Sequence, residues 1–296
     1  MIHHKRKICF IINPISGIGR QRVIEKLVAD FLDTSVFEPS LVYTEGPKHA
    51  TTLAKKAAGE GFEIVVAVGG DGSVNEIAKG LIGTNTAMAI LPAGSGNGLA
   101  RHLGIPMDLK KAMHLLQKGS KQQIDSIQFN QEYFVNVAGV GFDAHIGWEF
   151  SKFGKRGFSS YLKVILKELS ALKKQRYKLQ IDGGPKLEKE AYLISFANGS
   201  QWGNNASIAP LADVKDGMLD IVLVKKFSWL LSLSFSLKLF TKKIHTSPAV
   251  ETLKAKHVII TQEKSIAHID GEPIECGQSI TIKVNPLSLN VIVPTR

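Results

Sequence analysis

Apolar positions in the first 120 residues occur in short runs that alternate with segments of helical spacing. The runs predict buried strands at 7–12, 39–44, 63–68 and 87–91. The segments between and after them predict amphipathic helices at 20–32, 47–59, 73–82 and 108–117. Strands that alternate with helices in this way are typical of a parallel sheet covered by helices, so we predict an α/β domain at the N-terminus.

Beyond residue 120 the pattern changes to short strands separated by Gly, Asn, Asp or Pro. The strand-like segments are YFVNVAGVGFDA, KLQID, EAYLISFANG, LDIVLV, HVIITQ, SIAHID, SITIKV and LNVIV. This pattern favours a C-terminal β-sandwich, interrupted by two helical insertions. The predicted boundary lies near residues 118–123, which gives an α/β domain over 1–120 and a sandwich domain over 121–296.

Composition is consistent with an intracellular protein of two domains. The chain has 296 residues and 44% apolar content, enough for two hydrophobic cores. Two cysteines, Cys9 and Cys276, indicate no disulfide framework and favour a reducing compartment. The first apolar run stops at Pro14, too early for a signal peptide. The apolar stretch 227–240 contains Lys238 and is shorter than the roughly 20 residues of a membrane span. We therefore expect a cytoplasmic protein.

The two insertions carry nearly all of the excess positive charge. Residues 151–178 contain nine Lys or Arg and one acid, and residues 224–243 contain five Lys and no acid. Together they contribute +13, against +11 for the whole chain. Each also has an apolar stripe at helical spacing, formed by Phe158, Leu162, Ile165, Leu169 and Leu172 in the first and by Trp229, Leu230, Leu233, Leu237 and Phe240 in the second.

Two interpretations of these insertions stay open. An apolar stripe beside lysines can dock on an anionic membrane, or it can pack on the sandwich and leave the lysines in solvent. Docking would place the protein peripherally on the inner face of the membrane. No nucleic-acid partner is expected, because the basic residues accompany aliphatic stripes and no nucleic-acid-binding motif is present.

The most informative loop lies in Val65–Glu76, whose sequence is VVAVGGDGSVNE. Its glycines are Gly69, Gly70 and Gly72. They allow backbone N–H groups to approach a polyphosphate, and the helix expected after Ser73 directs its positive end to the same point. Asp71 stands where Mg²⁺ or a transferring phosphoryl group needs a carboxylate. A plain strand-to-helix turn rarely requires three glycines in four positions, so this loop predicts a nucleotide site.

Two more glycine-rich loops follow predicted strands. Met88–Leu103 reads MAILPAGSGNGLARHL, and Lys7–Arg20 reads KICFIINPISGIGR. Loops of this kind at neighbouring strands of one sheet would form a paired phosphate cradle. The N-terminal loop alone is equally compatible with an ordinary αβ connection, because Gly, Pro, Asn and Ser are the usual loop residues.

In order and composition, the NPISG, GGDGS and PAGSGN loops resemble the nucleotide loops of the diacylglycerol kinase and sphingosine kinase superfamily. Thr44 with His49–Ala50 matches a further T-x4-HA segment. The resemblance implies that ATP is bound by Asn13, Ser16, Gly17, Arg20, Thr44, Gly69, Gly70, Gly72, Ser73, Asn75, Glu76, Gly94, Ser95 and Asn97. Gly98 stands where bacterial members usually have an acid, so this loop is more similar to that of sphingosine and ceramide kinases.

Two motifs in the second half extend the resemblance. Residues 210–224, PLADVKDGMLDIVLV, resemble a segment of bacterial diacylglycerol-kinase-like proteins. It implies that Asp216 holds a structural Mg²⁺ with the main chain at Asp213 and Met218; a DG turn before a strand is the alternative. AHIDGEPIE matches the family's DGE at a turn between strands, and there Glu272 is the expected general base.

As a whole, the resemblance implies an ATP- and Mg²⁺-dependent lipid kinase that phosphorylates a lipid hydroxyl, such as that of diacylglycerol, presented at a membrane surface. Asp71 would hold Mg²⁺ through water while Glu272 takes the hydroxyl proton. Sphingosine kinases use the acid of the GDG loop as base, so Asp71 and Glu272 both stay candidates. A sphingoid-base or ceramide kinase, an NAD kinase and a non-catalytic lipid-binding relative are the alternatives. The sequence identifies neither the lipid nor the oligomeric state.

Overall fold

The structure, a computed structural model, forms two compact units. It describes residues 5–15, 23–142, 174–225 and 229–295, without the side chains of 229–233. The α/β unit comprises residues 1–124 and 287–296, and the sandwich unit comprises residues 125–286. The alternation pattern assigned everything after residue 120 to the second domain. In the structure the last ten residues belong to the α/β unit instead.

The α/β unit contains a parallel sheet in the order β2-β1-β3-β4. Its strands are β1 (Arg6–Ile12), β2 (Phe37–Tyr43), β3 (Ile64–Gly69) and β4 (Ala87–Pro92). β3 and β4 are buried along their whole length, which explains their continuous apolar runs. The end of the last strand of the chain returns to this sheet, where Asn290 and Val291 pair in parallel with Ala87 and Met88 of β4.

Within the described residues of this unit, five helices connect or follow these strands, and four of them lie where the apolar spacing predicts. They are α1 (Ile24–Phe31), α2 (His49–Gly59), α3 (Asp71–Leu81), α4 (Gly98–His102) and α5 (Leu109–Lys118). α5 begins with a side-chain cap, since Asp108 Oδ1 accepts the N–H of Lys111 at 2.9 Å. The predicted α/β class is confirmed, and α4 is the short helix that the apolar pattern did not predict.

The strands that follow α5 are β5 (Ser120–Phe129), β6 (Glu132–Phe134), β7 (Val137–Gly141), β8 (Gln175–Ile181), β9 (Lys186–Ala191), β10 (Leu193–Ala197), β11 (Gln201–Gly203), β12 (Ala206–Ser207), β13 (Leu219–Val224), β14 (Val250–Ala255), β15 (His257–Thr261), β16 (Ile266–Ile269), β17 (Glu272–Glu275) and β18 (Ser279–Val293). Among the described residues, two antiparallel layers form the predicted sandwich. One has the order β14-β13-β10-β7-β16-β17, and the other includes β18, β15, β8 and β9 in that order, while β11 and β12 form a separate two-stranded sheet. Side chains from both sheets, among them Phe196, Ile221, Tyr177 and Ile260, share one buried core.

The second predicted insertion forms α6 (Trp229–Phe240), which precedes a 3-10 turn at Ile244–Thr246. Phe235 and Leu239 pack on a buried cluster of the sandwich unit, whereas Leu237 and Phe240 are 58% and 46% exposed. The predicted stripe placed Leu237 and Phe240 on one apolar face and did not include the two packing residues. Spacing could not choose the face, because apolar residues occur on every side of this helix. The first insertion lies mostly in 143–173, outside the described residues.

Composition raised two further questions, about membrane-spanning helices and about the two cysteines. No helix within the described ranges is long and apolar enough to cross a membrane. Cys9 and Cys276 are free thiols, and burial raises the pKa of each to about 11. Both are therefore protonated and weakly nucleophilic at neutral pH.

Asp270 anchors the β6-β7 corner of the sandwich unit. Its carboxylate accepts three backbone N–H groups, those of Val135, Asn136 and Val137, at 3.1, 3.0 and 2.9 Å. These bonds satisfy the N–H groups of the residues that join β6 to β7. Asp270 and Gly271 have φ of +47° and +87°, which suits the two-residue turn of the β16-β17 hairpin. Asp270 thus has a structural reason to follow β16, independent of any chemistry at Glu272.

We predict that Asp270→Ala destabilises the sandwich unit by about 2–4 kcal/mol, because three N–H groups lose their acceptor in a buried place. All three tryptophans lie in residues 125–286, so tryptophan fluorescence during urea unfolding reports on this unit. Asp182→Ala is the matched control, since Asp182 also has positive φ and accepts the N–H groups of Lys256 and His257, but at an exposed place where water can replace it. Equal losses in the two variants would contradict the anchoring role.

Candidate active site

In chain order, the first glycine-rich loop is NPISG at 13–17, the second is GGDGS at 69–73 and the third is PAGSGN at 92–97. Asn13, which follows β1, joins the first loop to the second. Its Nδ2 donates to Ser73 Oγ at 3.4 Å, and its Oδ1 accepts the N–H of Ile15 at 3.1 Å. The N–H of Asn13 itself donates to the carbonyl of Val68 at 3.2 Å. The structure therefore brings together two residues predicted to bind the nucleotide. The others predicted in the first loop, Ser16, Gly17 and Arg20, lie outside the described residues.

The second and third loops approach each other at Gly70 and Gly94. A Cβ added to Gly94 would lie 2.3 Å from Gly70 Cα and 3.1 Å from Gly70 N. The N–H groups of Ala93 and Gly94 both donate to the carbonyl of Gly69, at 2.9 and 3.0 Å. Only glycine fits at position 94, because the nearest atom that a side chain would meet, Gly70 Cα, is backbone and cannot move aside.

Asp71, the first residue of α3, holds the third loop in place. Its Oδ2 accepts the N–H of Asn97 at 2.8 Å, and its Oδ1 accepts the N–H of Gly98 at 2.7 Å. Gly98 begins α4, so the carboxylate also lies at the positive end of that helix. The sequence predicted Asp71 as a carboxylate for metal or phosphoryl transfer. The geometry adds a positioning role that the sequence did not reveal.

Asn97 presents a buried oxygen that no described group satisfies. It has a left-handed backbone with φ of +52°, and it is only 5% exposed. Its Nδ2 donates to the carbonyl of Gly94 at 2.8 Å, while its Oδ1 has no hydrogen-bond partner among the described residues. A buried oxygen without a donor is unfavourable, so this atom fits a site that a ligand or a bound water completes.

The remaining predicted nucleotide residues differ in their surroundings. Ser73 and Asn75 are buried at the start of α3, Gly72 is half-buried, and Ser95 is exposed on the third loop. The N–H of Thr44 donates to the carbonyl of Ile12, which fixes the end of β2 beside the first loop. These five positions all belong to the α/β unit.

Glu76 has a structural function in this arrangement. Its Oε1 accepts the N–H of Lys48 at 2.9 Å, and its Oε2 accepts that of Ala50 at 3.2 Å. The carboxylate therefore caps α2, which begins at His49. The structure shows that Glu76 caps a helix, and the nucleotide contact that the resemblance implied stays a prediction.

Glu272 lies on the sandwich unit, where it begins β17 and pairs with Ile269 across the hairpin. Its side chain is exposed, in contrast to the buried Asp270 two residues earlier. The DGE motif thus separates into a structural acid and an accessible acid. An accessible carboxylate on a rigid hairpin has the chemistry that a general base requires.

The predicted structural Mg²⁺ site is already engaged by protein groups. Asp216 Oδ2 lies 2.6 Å from Nζ of Lys254, and Asp216 Oδ1 accepts the N–H of Met218 at 2.9 Å. Asp213 Oδ1 accepts the N–H of Lys215 at 3.0 Å. Among the described residues, no group of three or more His, Cys, Asp or Glu side chains is arranged to hold a metal ion. Both oxygens of Asp216 thus face protein donors in this structure, an arrangement that does not suit a cation at this carboxylate, and the set of Asp216 with the main chain at Asp213 and Met218 stays a prediction.

Lys254 is the main residue that sequence reasoning missed. It lies on β14, a mostly half-exposed strand whose segment VETLKA has no clear apolar alternation. Burial lowers the pKa of Lys254, but the Asp216 and Asp220 carboxylates raise it, and the net shift is upward. Burial raises the pKa of Asp220, and the charge of Lys254 counteracts that shift. The sequence around Lys254 contains one acid, Glu251, and gives no sign of this contact.

Comparison with known proteins follows the same division of the chain. The diacylglycerol kinase catalytic domain matches residues 7–129, and the YegS C-terminal NAD kinase β-sandwich-like domain matches residues 136–293. The sequence is 29% identical over 301 residues to a diacylglycerol kinase of Mycobacterium tuberculosis, covering 99% of this chain and 96% of the relative. It is 31% identical over 228 residues to a probable lipid kinase, YegS-like, of Chromohalobacter salexigens, covering 75% and 73%.

Solved structures give the same result. The crystal structure of a Bacillus anthracis protein described as a diacylglycerol kinase superposes with a TM-score of 0.81 at 25% identity, covering 97% of this chain and 95% of the other. An NAD kinase of Archaeoglobus fulgidus superposes with a TM-score of 0.53 at 13% identity, covering 96% and 93%, which shows a shared fold alone. With both of its domains matched and its fold shared over nearly the whole length, the chain belongs to the diacylglycerol kinase-like family of lipid kinases.

Proposed function

We propose that this enzyme transfers the γ-phosphoryl group of ATP to the free hydroxyl of diacylglycerol. The observation that supports it most is the junction of the second and third loops. There Gly70 and Gly94 approach each other closely, and the Asp71 carboxylate accepts the N–H groups of Asn97 and Gly98. The buried Asn97 Oδ1 has no hydrogen-bond donor among the described residues. Backbone this close, without side chains, is what a triphosphate requires from its binding loops.

The residues of the α/β unit would bind and orient the nucleotide. Asn13 and Ser73, which are hydrogen-bonded to each other, would hold the first two loops against it. The position of Asp71, beside the N-terminus of α4, directs its carboxylate to the place where phosphate charge accumulates. Mg²⁺, when bound with ATP, would neutralise part of that charge. Carboxylate, hydroxyl and amide oxygens at this junction are ligands that a hard cation prefers.

We assign the role of general base to Glu272 rather than to Asp71. Both oxygens of Asp71 accept backbone N–H groups, which stabilise its ionised form and make it a weak proton acceptor. Glu272 is exposed on its hairpin. Its carboxylate would accept the hydroxyl proton while the lipid oxygen bonds to the γ-phosphorus and ADP leaves with the bridging oxygen.

The choice of diacylglycerol rests on relatives and on one sequence feature. Relatives in Mycobacterium tuberculosis and Bacillus subtilis, each 29% identical, are named diacylglycerol kinases. Sphingosine kinases place an acid shortly after the segment matching GFDA, and this chain has Gly147 near that place with Glu149 two residues on. The PAGSGN loop favours the second candidate, a sphingoid-base or ceramide kinase, so the test must include those lipids.

We further propose that the enzyme meets its lipid at the cytoplasmic face of an anionic membrane. The exposed Leu237 and Phe240 lie on α6 with Lys238, and Lys242 and Lys243 follow directly and are exposed. Apolar side chains beside cations are the chemistry by which peripheral proteins bind anionic bilayers. This contact would bring the lipid hydroxyl to the enzyme without extracting the lipid first.

Purified wild type should transfer labelled phosphate from ATP to diacylglycerol in mixed micelles, and it should use sphingosine, ceramide and NAD at least about 100-fold less efficiently.

Asp71→Asn should reduce turnover at least about 100-fold, because an amide loses the charge and turns one acceptor into a donor that faces an N–H group. Asp108→Asn, at the cap of α5, is the control and should keep full activity. Preference for a sphingoid base, or an active and folded Asp71→Asn enzyme, would refute the proposal.

Gly94→Ala should lower kcat/KM for ATP by about 100-fold, because the new methyl forces the second and third loops apart and misplaces the phosphates. The matched control is Gly59→Ala, since a Cβ at Gly59, the last residue of α2, meets nothing within 4 Å. Circular dichroism should give similar helix content for both variants. An ATP affinity of Gly94→Ala equal to that of the control would show that the loop junction does not bind the nucleotide.

Replacing both Leu237 and Phe240 with Ser should weaken sedimentation with phosphatidylglycerol vesicles at least about tenfold, because even partial insertion of two such side chains is worth more than 1 kcal/mol. Binding of the wild type should also fall as salt rises, since the Debye length is roughly 8 Å at physiological ionic strength. Leu211→Ser is the control, as Leu211 is 66% exposed on a loop. Unchanged binding by the double variant would exclude α6 as the docking element.

A further inference from the structure

The turn before β13 concentrates negative charge on the sandwich unit. Asp213 and Asp216 lie in the turn, and Asp220 follows on β13. Asp220 is only 3% exposed, and within the described ranges its carboxylate accepts no backbone N–H. A buried carboxylate requires a compensating cation, because water cannot reach it to stabilise its charge.

Lys254 supplies a cation at this place through the register of the sheet. β13 and β14 are antiparallel neighbours, and Asp220 stands directly opposite Lys254 in that ladder. Nζ of Lys254 lies 2.6 Å from Asp216 Oδ2 and 3.5 Å from Asp220 Oδ2. One ammonium group thus contacts both the turn and the strand, joining the carboxylate that precedes β13 to the one within it.

A divalent cation and this ammonium group compete for the same oxygen. Mg²⁺ needs a nearly octahedral set of oxygen ligands at about 2.0–2.1 Å, and Lys254 offers no acceptor to it. An ammonium 2.6 Å from Asp216 Oδ2 would repel any cation bound to that oxygen. The other oxygen of Asp216 faces the N–H of Met218, so the carboxylate is directed to protein groups on both sides.

We infer that Lys254 is a built-in replacement for the structural metal ion, so that the sandwich unit of this enzyme folds without Mg²⁺ and acquires a divalent-cation site only when Lys254 is removed. The inference concerns the sandwich unit alone and holds whichever lipid the enzyme phosphorylates. The inference concerns a metal ion that would be needed for folding, and it does not concern the Mg²⁺ that would be bound with ATP.

The experiment measures thermal unfolding of the sandwich unit by tryptophan fluorescence in the absence of nucleotide. Wild type, Lys254→Met, Lys254→Met/Asp216→Asn, Asp216→Asn and the control Lys256→Met are compared in EDTA, in millimolar MgCl2, and in NaCl of equal ionic strength. Lys256 is exposed, and its ammonium group forms no ion pair with any described residue. Its variant therefore removes the same charge next to β14. Titration with Mn²⁺, followed by electron paramagnetic resonance, counts bound ions directly.

We expect the Tm of wild type and of Lys256→Met to be the same in EDTA and in MgCl2 once ionic strength is matched. Lys254→Met should lose about 4 °C or more in EDTA, because two carboxylates are left without their cation. MgCl2 should restore at least half of that loss, and Lys254→Met should bind one more Mn²⁺ than wild type. Adding Asp216→Asn should abolish both the rescue and the extra ion.

Two results would overturn the inference. If Mg²⁺ stabilises the wild type and Asp216→Asn removes that stabilisation, the turn holds a metal ion despite Lys254. If Lys254→Met shows no response to Mg²⁺ and binds no additional Mn²⁺, the lysine is a surface partner and no replacement for a metal. The wild-type and Asp216→Asn measurements decide the first point even if Lys254→Met fails to fold.

Discussion

The carboxylate of Asp71 holds the second and third glycine-rich loops in one arrangement, with one oxygen on the N–H of Asn97 and the other on that of Gly98. This pair of bonds is possible only because the backbones of Gly70 and Gly94 come within a distance that no side chain permits. The left-handed Asn97 and the start of α4 lie directly beside that contact, and Asn97 Oδ1 has no hydrogen-bond partner within the part of the chain that the structure describes. This junction brings backbone N–H groups and one carboxylate together with no side chain between the two loops.

Carboxylates with backbone partners recur throughout the chain and explain why acids in a functional motif need not share one role. Asp270 satisfies three N–H groups at the β6-β7 corner, Glu76 caps α2, and Asp108 caps α5. Each stabilises a place where regular hydrogen bonding ends. Glu272, which follows the Asp270 turn, instead begins β17 with an exposed side chain. Acids of one motif can therefore differ, with Asp270 maintaining the fold and Glu272 exposed to solvent.

Charge on the sandwich unit is organised by the sheet register. Lys254 opposes Asp220 across β13 and β14, and Lys189 and Lys225 both contact Glu251 on the same strand as Lys254. Glu251 is 22% exposed, so water can partly screen its pairs. The contact of Lys254 matters more because Asp220 is buried and has no water to replace it. A single cross-strand lysine can therefore decide whether a turn rich in acids needs a metal ion.

The sequence by itself determined the α/β and sandwich classes, the strands and helices of the first 120 residues, and the three loops, because periodic burial and glycine-rich turns are local properties. It also predicted functional roles for Asp71 and Glu272. Only the tertiary structure decided that β18 returns to the α/β unit, that Glu76 caps a helix, that α6 packs through Phe235 and Leu239, and that Lys254 reaches Asp216. Each of these depends on partners far apart in the chain, and 25 residues separate β13 from β14 with a helix between them. No local pattern encodes such a register, since it is set by how the strands pair after the chain has folded.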